Sequence, residues 1–250
     1  TTSGFTIENI EFVCDAGTGL SIPFYSSGTT SDLTVKNCTF SSGSEAWLTV
    51  VSLGLDGQNI VENCIATTES SGFNLNLAGG SLFLSQLDLT GTATAMTSSS
   101  GIRVSPDNTQ NITMVVSDCT IRNYHTGVND LSGGGLGFID GFTIENCVIS
   151  EVVQGVISST GTSFAKVVNT LVTTDATVGL YGVYLSGDKA LVSGCSFVSP
   201  RDPTTYVNTQ IPSAVRLIGS DCRVIGCYAE NFVNTTGRGA AVNSVGNGLT

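Results

Sequence analysis

The chain repeats a two-part unit nine times, and each part is too short for anything but a strand. The first part is an apolar segment that runs into a polar pair and a small inward residue. It reads Gly4–Phe12 (GFTIENIEF), Asp32–Phe40, Asn59–Ala66, Leu82–Leu89, Thr113–Ile121, Gly141–Ile149 (GFTIENCVI), Lys166–Val172, Ala190–Phe197 and Arg223–Ala229. The second part opens on Gly or another small residue: Gly19–Tyr25, Ala46–Leu53, Gly72–Leu77, Gly101–Ser105, Gly127–Leu131, Gly155–Ser159, Gly182–Ser186, Ala214–Gly219 and Gly239–Val245. One position marks the period: Ile10, Cys38, Cys64, Leu87, Cys119, Cys147, Thr170, Cys195 and Cys227, spaced 23 to 32 residues apart. A leucine-rich repeat of that length would need a Leu-x-x-Leu-x-Leu frame and a helical half. Here the apolar runs are short, β-branched and bounded by Gly, Ser, Thr and Asn, with no helical period.

Three short strands per turn, coiled in one direction, predict an all-β chain: a right-handed, single-stranded parallel β-helix of about nine rungs. On these segments the chain resembles the pectate-lyase-like superfamily over essentially its whole length. The resemblance makes the Gly-initiated strand the first sheet, the FTI-like strand the second and the Cys-initiated strand the third. It also implies an amide ladder at the turn between the second and third sheets, filled here by Asn9, Asn37, Asn63, Gln86, Asp118, Asn146 and Asn169. Stacked at about 4.8 Å, such side chains bond from rung to rung and offset their desolvation. The ladder ends at Gly194 and Gly226, so the last two turns are expected to bend differently.

Only 12% of residues are charged, which suits strands stacked on both edges and buried on one face. Residues 1–250 read as a single β-helix domain. Neither end offers an amphipathic capping helix, and a bare β-helix end is an open sheet edge. The expectation is therefore a portion of a longer chain, capped by other domains or subunits. No secretion signal and no run of about twenty apolar residues is present, so no membrane partner is expected. A net charge of −11 with nine Lys plus Arg argues against nucleic acid, and against polyanionic glycans unless a cation intervenes.

Eight cysteines invite a disulfide or metal reading. Six share one inward position in adjacent-rung pairs, where parallel side chains about 4.8 Å apart converge too little for a disulfide. They are expected as buried free thiols, with Cys14 and Cys222 outside the stack. No Cys-x-x-Cys or His pairing supplies a zinc set, and no cofactor is expected.

Alternation along the first-sheet strands turns Ile102 and Val104 inward and Arg103 outward. The same logic exposes Ser21, Thr49, Asn74, Asn76, Asn129, Ile157, Tyr184, Arg216 and Asn243. The superfamily resemblance implies function on this outer face. Amides, two arginines and a tyrosine in a line suit hydroxyls and sugar rings, which makes Asn74, Asn76, Arg103, Asn129, Tyr184 and Arg216 the candidate substrate-binding set. Asp107, Asp130 and His125 are the candidate acid–base residues beside Arg103. Strict alternation turns Asp130 inward, so it is either exposed by a bulge or a buried, hydrogen-bonded structural acid. The polygalacturonase pattern and the calcium-binding aspartates of pectate lyases are absent, as is a phosphate loop in the Gly-rich tract Ser132–Gly137. Two longer insertions, Gly91–Ser100 and Ser199–Ser213, border the first sheet and are further places for binding chemistry.

The polar, low-charge rungs resemble the β-helices of bacteriophage tailspikes and related receptor-binding adhesins. That resemblance implies a homotrimer on a virion surface or in the extracellular space, recognising, or recognising and depolymerising, a bacterial surface polysaccharide. The alternatives are a secreted polysaccharide lyase, hydrolase or epimerase, and a non-catalytic spacer within a surface fibre.

Overall fold

The structure is a computed structural model that describes residues 2–14, 25–42, 52–68, 71–77, 79–92, 99–106, 111–131, 138–158, 162–175, 180–200, 212–232 and 240–245. Every described strand pairing is parallel, and the strands fall into three sheets that the chain visits in strict rotation, as a right-handed parallel β-helix does. The first sheet has ten strands and the second and third have nine each. Its tenth strand is Thr2–Ser3, which precedes the first repeat. The next two described first-sheet strands are Tyr25–Ser31 and Ser52–Asp56; most of the Gly19–Tyr25 and Ala46–Leu53 segments lies outside the described residues. From Phe73–Leu77 onward sequence and structure agree in register.

Each sheet contributes inward columns to one continuous core. In the third sheet Phe12, Phe40, Ala66, Leu89, Ile121, Ile149, Val172, Phe197 and Ala229 lie in one register. Phe12 stacks on Phe40 with centroids 5.0 Å apart, and Phe40 meets Phe73 edge-on at 5.9 Å. Burial of such side chains stabilises by roughly 1.5–3 kcal/mol each, so rungs hold one another through their neighbours.

The turn between second and third sheets has a different cause from the desolvated ladder expected of it. Asn9, Asn37, Asn63, Gln86, Asp118, Asn146 and Asn169 all adopt φ between 48° and 59°, and all seven are exposed. Left-handed backbone, which Asn and Asp tolerate best among residues with a side chain, selects these positions more than amide stacking does. Asn63 Nδ2 donates to Asn37 Oδ1 at 2.8 Å, a rung-to-rung amide bond among the described residues. The expectation that the last two turns bend differently is also corrected. Gly194 and Gly226 take φ of 63° and 60° at the same position, and the Gly194 amide donates to the next rung as its predecessors do.

The residue after this turn is the marker position, and the structure shows why Cys recurs there. Its thiol donates back to the carbonyl two residues earlier: Cys38 to Lys36 at 3.1 Å, Cys119 to Ser117 at 3.1 Å, Cys147 to Glu145 at 3.2 Å. Thr170 makes the same bond through its hydroxyl, to Val168 at 3.0 Å. A small side chain with a weak donor satisfies both the core and the turn. Cys38, Cys64, Cys119, Cys147, Cys195, Cys222 and Cys227 are free, all but Cys227 buried; the side chain of Cys14 lies outside the described set. Ile10, at the first marker position, is 43% exposed and not inside the coil. Burial pushes the Cys64 and Cys195 thiols up to about 11, while hydrogen bonding with Cys147 and burial raise Cys119.

Glycines that open the first-sheet strands answer to close packing at the corner with the third sheet. A Cβ on Gly155 would stand 2.2 Å from the Gly182 carbonyl oxygen and 2.5 Å from Val172 Cγ1. No side chain fits there, and this anchors the register of the first sheet.

Candidate functional site

Strand alternation and rung register together build one outward column on the first sheet. Asn74 lies beside Arg103, Arg103 beside Asn129, and Asn129 beside Ile157; Tyr184, Arg216 and Asn243 follow in the same register. Ile102 and Val104 are fully buried while Arg103 between them is exposed, as alternation requires. Asn74, Asn129, Ile157, Tyr184, Arg216 and Asn243 are half-buried by their neighbours. Asn76 belongs to the strand Phe73–Leu77, with its side chain outside the described set, and Ser21 and Thr49 lie wholly outside it.

A second column runs beside the first: Ser100, Thr126, Gln154, Tyr181 and Ser213, of which Gln154 and Tyr181 are half-buried and the other three buried. Sequence reasoning missed it. The signal was there, because each of these residues directly precedes the Gly or Ala that opens its strand. The two columns are cross-linked. Asn129 Nδ2 donates to Ser100 Oγ at 3.4 Å, and Arg216 Nη1 donates to the Tyr181 hydroxyl at 2.8 Å.

Arg216 is the best-held polar group on this face. Its guanidinium carbon sits 5.5 Å from the Tyr181 ring and 5.3 Å from the Tyr184 ring, and the two rings are 5.6 Å apart. Such contacts contribute about 0.5–1 kcal/mol each at exposed sites and fix a side chain that otherwise has many rotamers. The surface here is thus a cation stacked on two phenols and not a bare aromatic plate. Its Nε has no hydrogen-bond partner among the described residues. The described ion pairs, Lys36–Glu62 and Arg122–Asp88, sit on the second and third sheets, and neither includes Arg103 or Arg216.

The candidate acid–base residues separate. Asp130 occupies an inward column with Val104, Ser158 and Leu185, and it is fully buried. Ser158 Oγ donates to Asp130 Oδ2 at 3.0 Å, and Thr162 Oγ1 donates to the same oxygen. Of the two arrangements that alternation allowed, the structure shows the buried, hydrogen-bonded acid. His125 is half-buried just before the strand Thr126–Asp130, and its carbonyl accepts the Gln154 amide at 2.9 Å. It lies four positions before Asn129, a reach of at most roughly 13 Å along the chain. Asp107 lies outside the described residues, as do 93–98, 132–137 and 201–211 within the candidate loops.

Fold and outer face together define a parallel β-helix repeat protein whose first sheet carries a largely polar outward column. The chain belongs to the family described as domain of unknown function DUF4957, whose model matches residues 41–178, more than half of its length. No curated protein matches it, and no solved structure does.

Proposed function

We propose that this β-helix recognises an extended bacterial surface polysaccharide laid lengthwise along the first sheet, as the receptor-binding part of a tailspike-like adhesin at a virion or cell surface. One observation carries the reading: the unbroken outward column Asn74–Arg103–Asn129–Ile157–Tyr184–Arg216–Asn243, flanked by the half-buried Gln154 and Tyr181. Amide, hydroxyl and guanidinium groups repeat at the strand spacing, about 4.8 Å, in a straight line that a linear polymer can follow. Phenol rings and Ile157 add apolar area for the carbon faces of sugars. The reading is one of recognition, because the first-sheet strands from Phe73–Leu77 onward contain no Asp or Glu except the inward Asp130.

A repeated face on a long rod also suits closed cyclic assembly, and a homotrimer with parallel axes belongs to the proposal. Binding of purified capsular and O-antigen polysaccharides, measured on the immobilised protein, is the test. The expected result is binding by at least one glycan that falls about tenfold in Tyr184→Ala and in Asn129→Ala, the loss of one good contact each. If no surface glycan binds, the spacer reading replaces this one.

A further inference from the structure

The chain carries a net charge of −11, yet charge is distributed unevenly around the coil. Second-sheet outward positions include Glu8, Lys36, Glu62 and Glu145. Third-sheet outward positions include Glu11, Asp88, Arg122 and Glu230. The first sheet differs. In its seven strands from Phe73–Leu77 to Ala240–Val245 the charged residues are Arg103, Arg216 and the buried Asp130 alone. Both arginines stand in the same outward column, with Asn129, Ile157 and Tyr184 between them. Neither belongs to a described ion pair.

An acidic protein that keeps two cations without an ion pair among the described residues on one neutral stripe has a surface matched to sparse negative charge. The spacing is fixed by the fold: four strand steps at about 4.8 Å place the two guanidinium groups roughly 19 Å apart along the rod. Arg216 is also oriented. Its Nη1 is committed to Tyr181 and its plane to two phenol rings, so the guanidinium is held in place before a ligand arrives.

We infer that the ligand of the first sheet is a linear polysaccharide with isolated acidic groups spaced to meet Arg103 and Arg216 together, and neutral sugars over Asn129, Ile157 and Tyr184. This rests on the polysaccharide reading above and specifies the charge pattern of the polymer. A uniformly acidic polymer places carboxylates over the neutral middle of the stripe, where no cation meets them, and the negative charge of the rest of the chain repels it. A neutral polymer leaves both arginines unused.

The test compares four polymers on the intact protein: dextran, with no acid; hyaluronan, with an acid on every second sugar; polygalacturonate, with an acid on every sugar; and deacylated gellan, with one uronate in each tetrasaccharide repeat. Gellan is expected to bind about tenfold or more tighter than dextran and polygalacturonate, as expected for a charge-assisted hydrogen bond at each end. That margin should vanish on carboxyl reduction of the gellan, in Arg103→Gln and in Arg216→Gln. It should also shrink as salt rises. The inference is overturned if dextran, hyaluronan or polygalacturonate binds as tightly as gellan, or if the margin survives both arginine substitutions. In either case the polysaccharide reading stands on the binding itself. Absence of binding by all four polymers and by the surface glycans above removes both.

Discussion

Gly155→Ala should be among the most damaging single-methyl changes in this protein. The added Cβ would sit 2.2 Å from the Gly182 carbonyl oxygen and 2.5 Å from Val172 Cγ1, well inside contact distance on two sides. Val172 is a fully buried side chain and Gly182 O belongs to the next strand of the first sheet, so neither can swing into solvent. Overpacking typically costs about 1–3 kcal/mol where side chains can adjust, and a backbone obstruction belongs at or above the top of that range. About 3 kcal/mol corresponds to a fall in melting temperature of roughly 6–12 °C for a domain of this size. Thermal unfolding followed by circular dichroism reads it directly. Adding Val172→Ala removes one obstruction and leaves the carbonyl, so the double variant should recover only part of the loss. Gly226→Ala is the control: its Cβ meets nothing within 4 Å, and only the left-handed backbone at φ 60° resists it. A Gly155→Ala variant that melts within a degree or two of the parent would refute the close-corner account of the repeated glycine.

The other predictions concern thiols, charge and turns. Cys119→Asp should destabilise by several kcal/mol, because it buries a charge where a thiol bonds to the Ser117 carbonyl; urea titration measures it, and a parent-like midpoint would contradict the register. A denatured, unreduced sample should titrate about eight thiols, whereas adjacent-rung disulfides would leave two. Stability should fall as pH rises from about 9 to about 11. Over that window Cys64 and Cys195 keep their protons when folded and lose them when unfolded, so the folded state binds more protons and alkali favours unfolding. Flat stability across the window would contradict the burial of these thiols. Gly194→Asn should leave the melting temperature unchanged within a few degrees, since Asn tolerates the left-handed turn and Asn169 needs only to move its amide tip; a large loss would contradict the common geometry of the turns.

The fold was legible because its period is written in residue types that each do one job. Asn or Asp before Cys marks the left-handed turn, and Gly before two apolar residues marks the tight corner. The left-handed turn survives even where those residues vary, as at Gln86–Leu87 and Asn169–Thr170. Gly19–Tyr25 and Ala46–Leu53 carry the expected small-then-apolar pattern but lie mostly outside the described residues, whose pairing runs through Tyr25–Ser31 and Ser52–Asp56. Polar strands such as YSSGTTS carry little apolar alternation, so backbone pairing with the neighbouring rung decides their place. At the site, alternation alone found the column from Asn74 to Asn243. It missed Tyr181, because an outward residue immediately before an inward-packed Gly breaks the two-residue period. Nor could composition show that Arg216 lies across two phenol rings, a contact between residues 32 and 35 positions apart.

A glycan bound as proposed lies along the first sheet and nowhere else on the coil. Hydroxyl-radical footprinting of the intact protein, with and without the tightest-binding surface polysaccharide, tests it most directly. The account predicts that Tyr181, Tyr184 and Ile157 lose reactivity on binding, while Ile65, Val148, Leu171 and Tyr228 on the third sheet keep theirs. Protection of the third-sheet residues with Tyr181 and Tyr184 unchanged would contradict it.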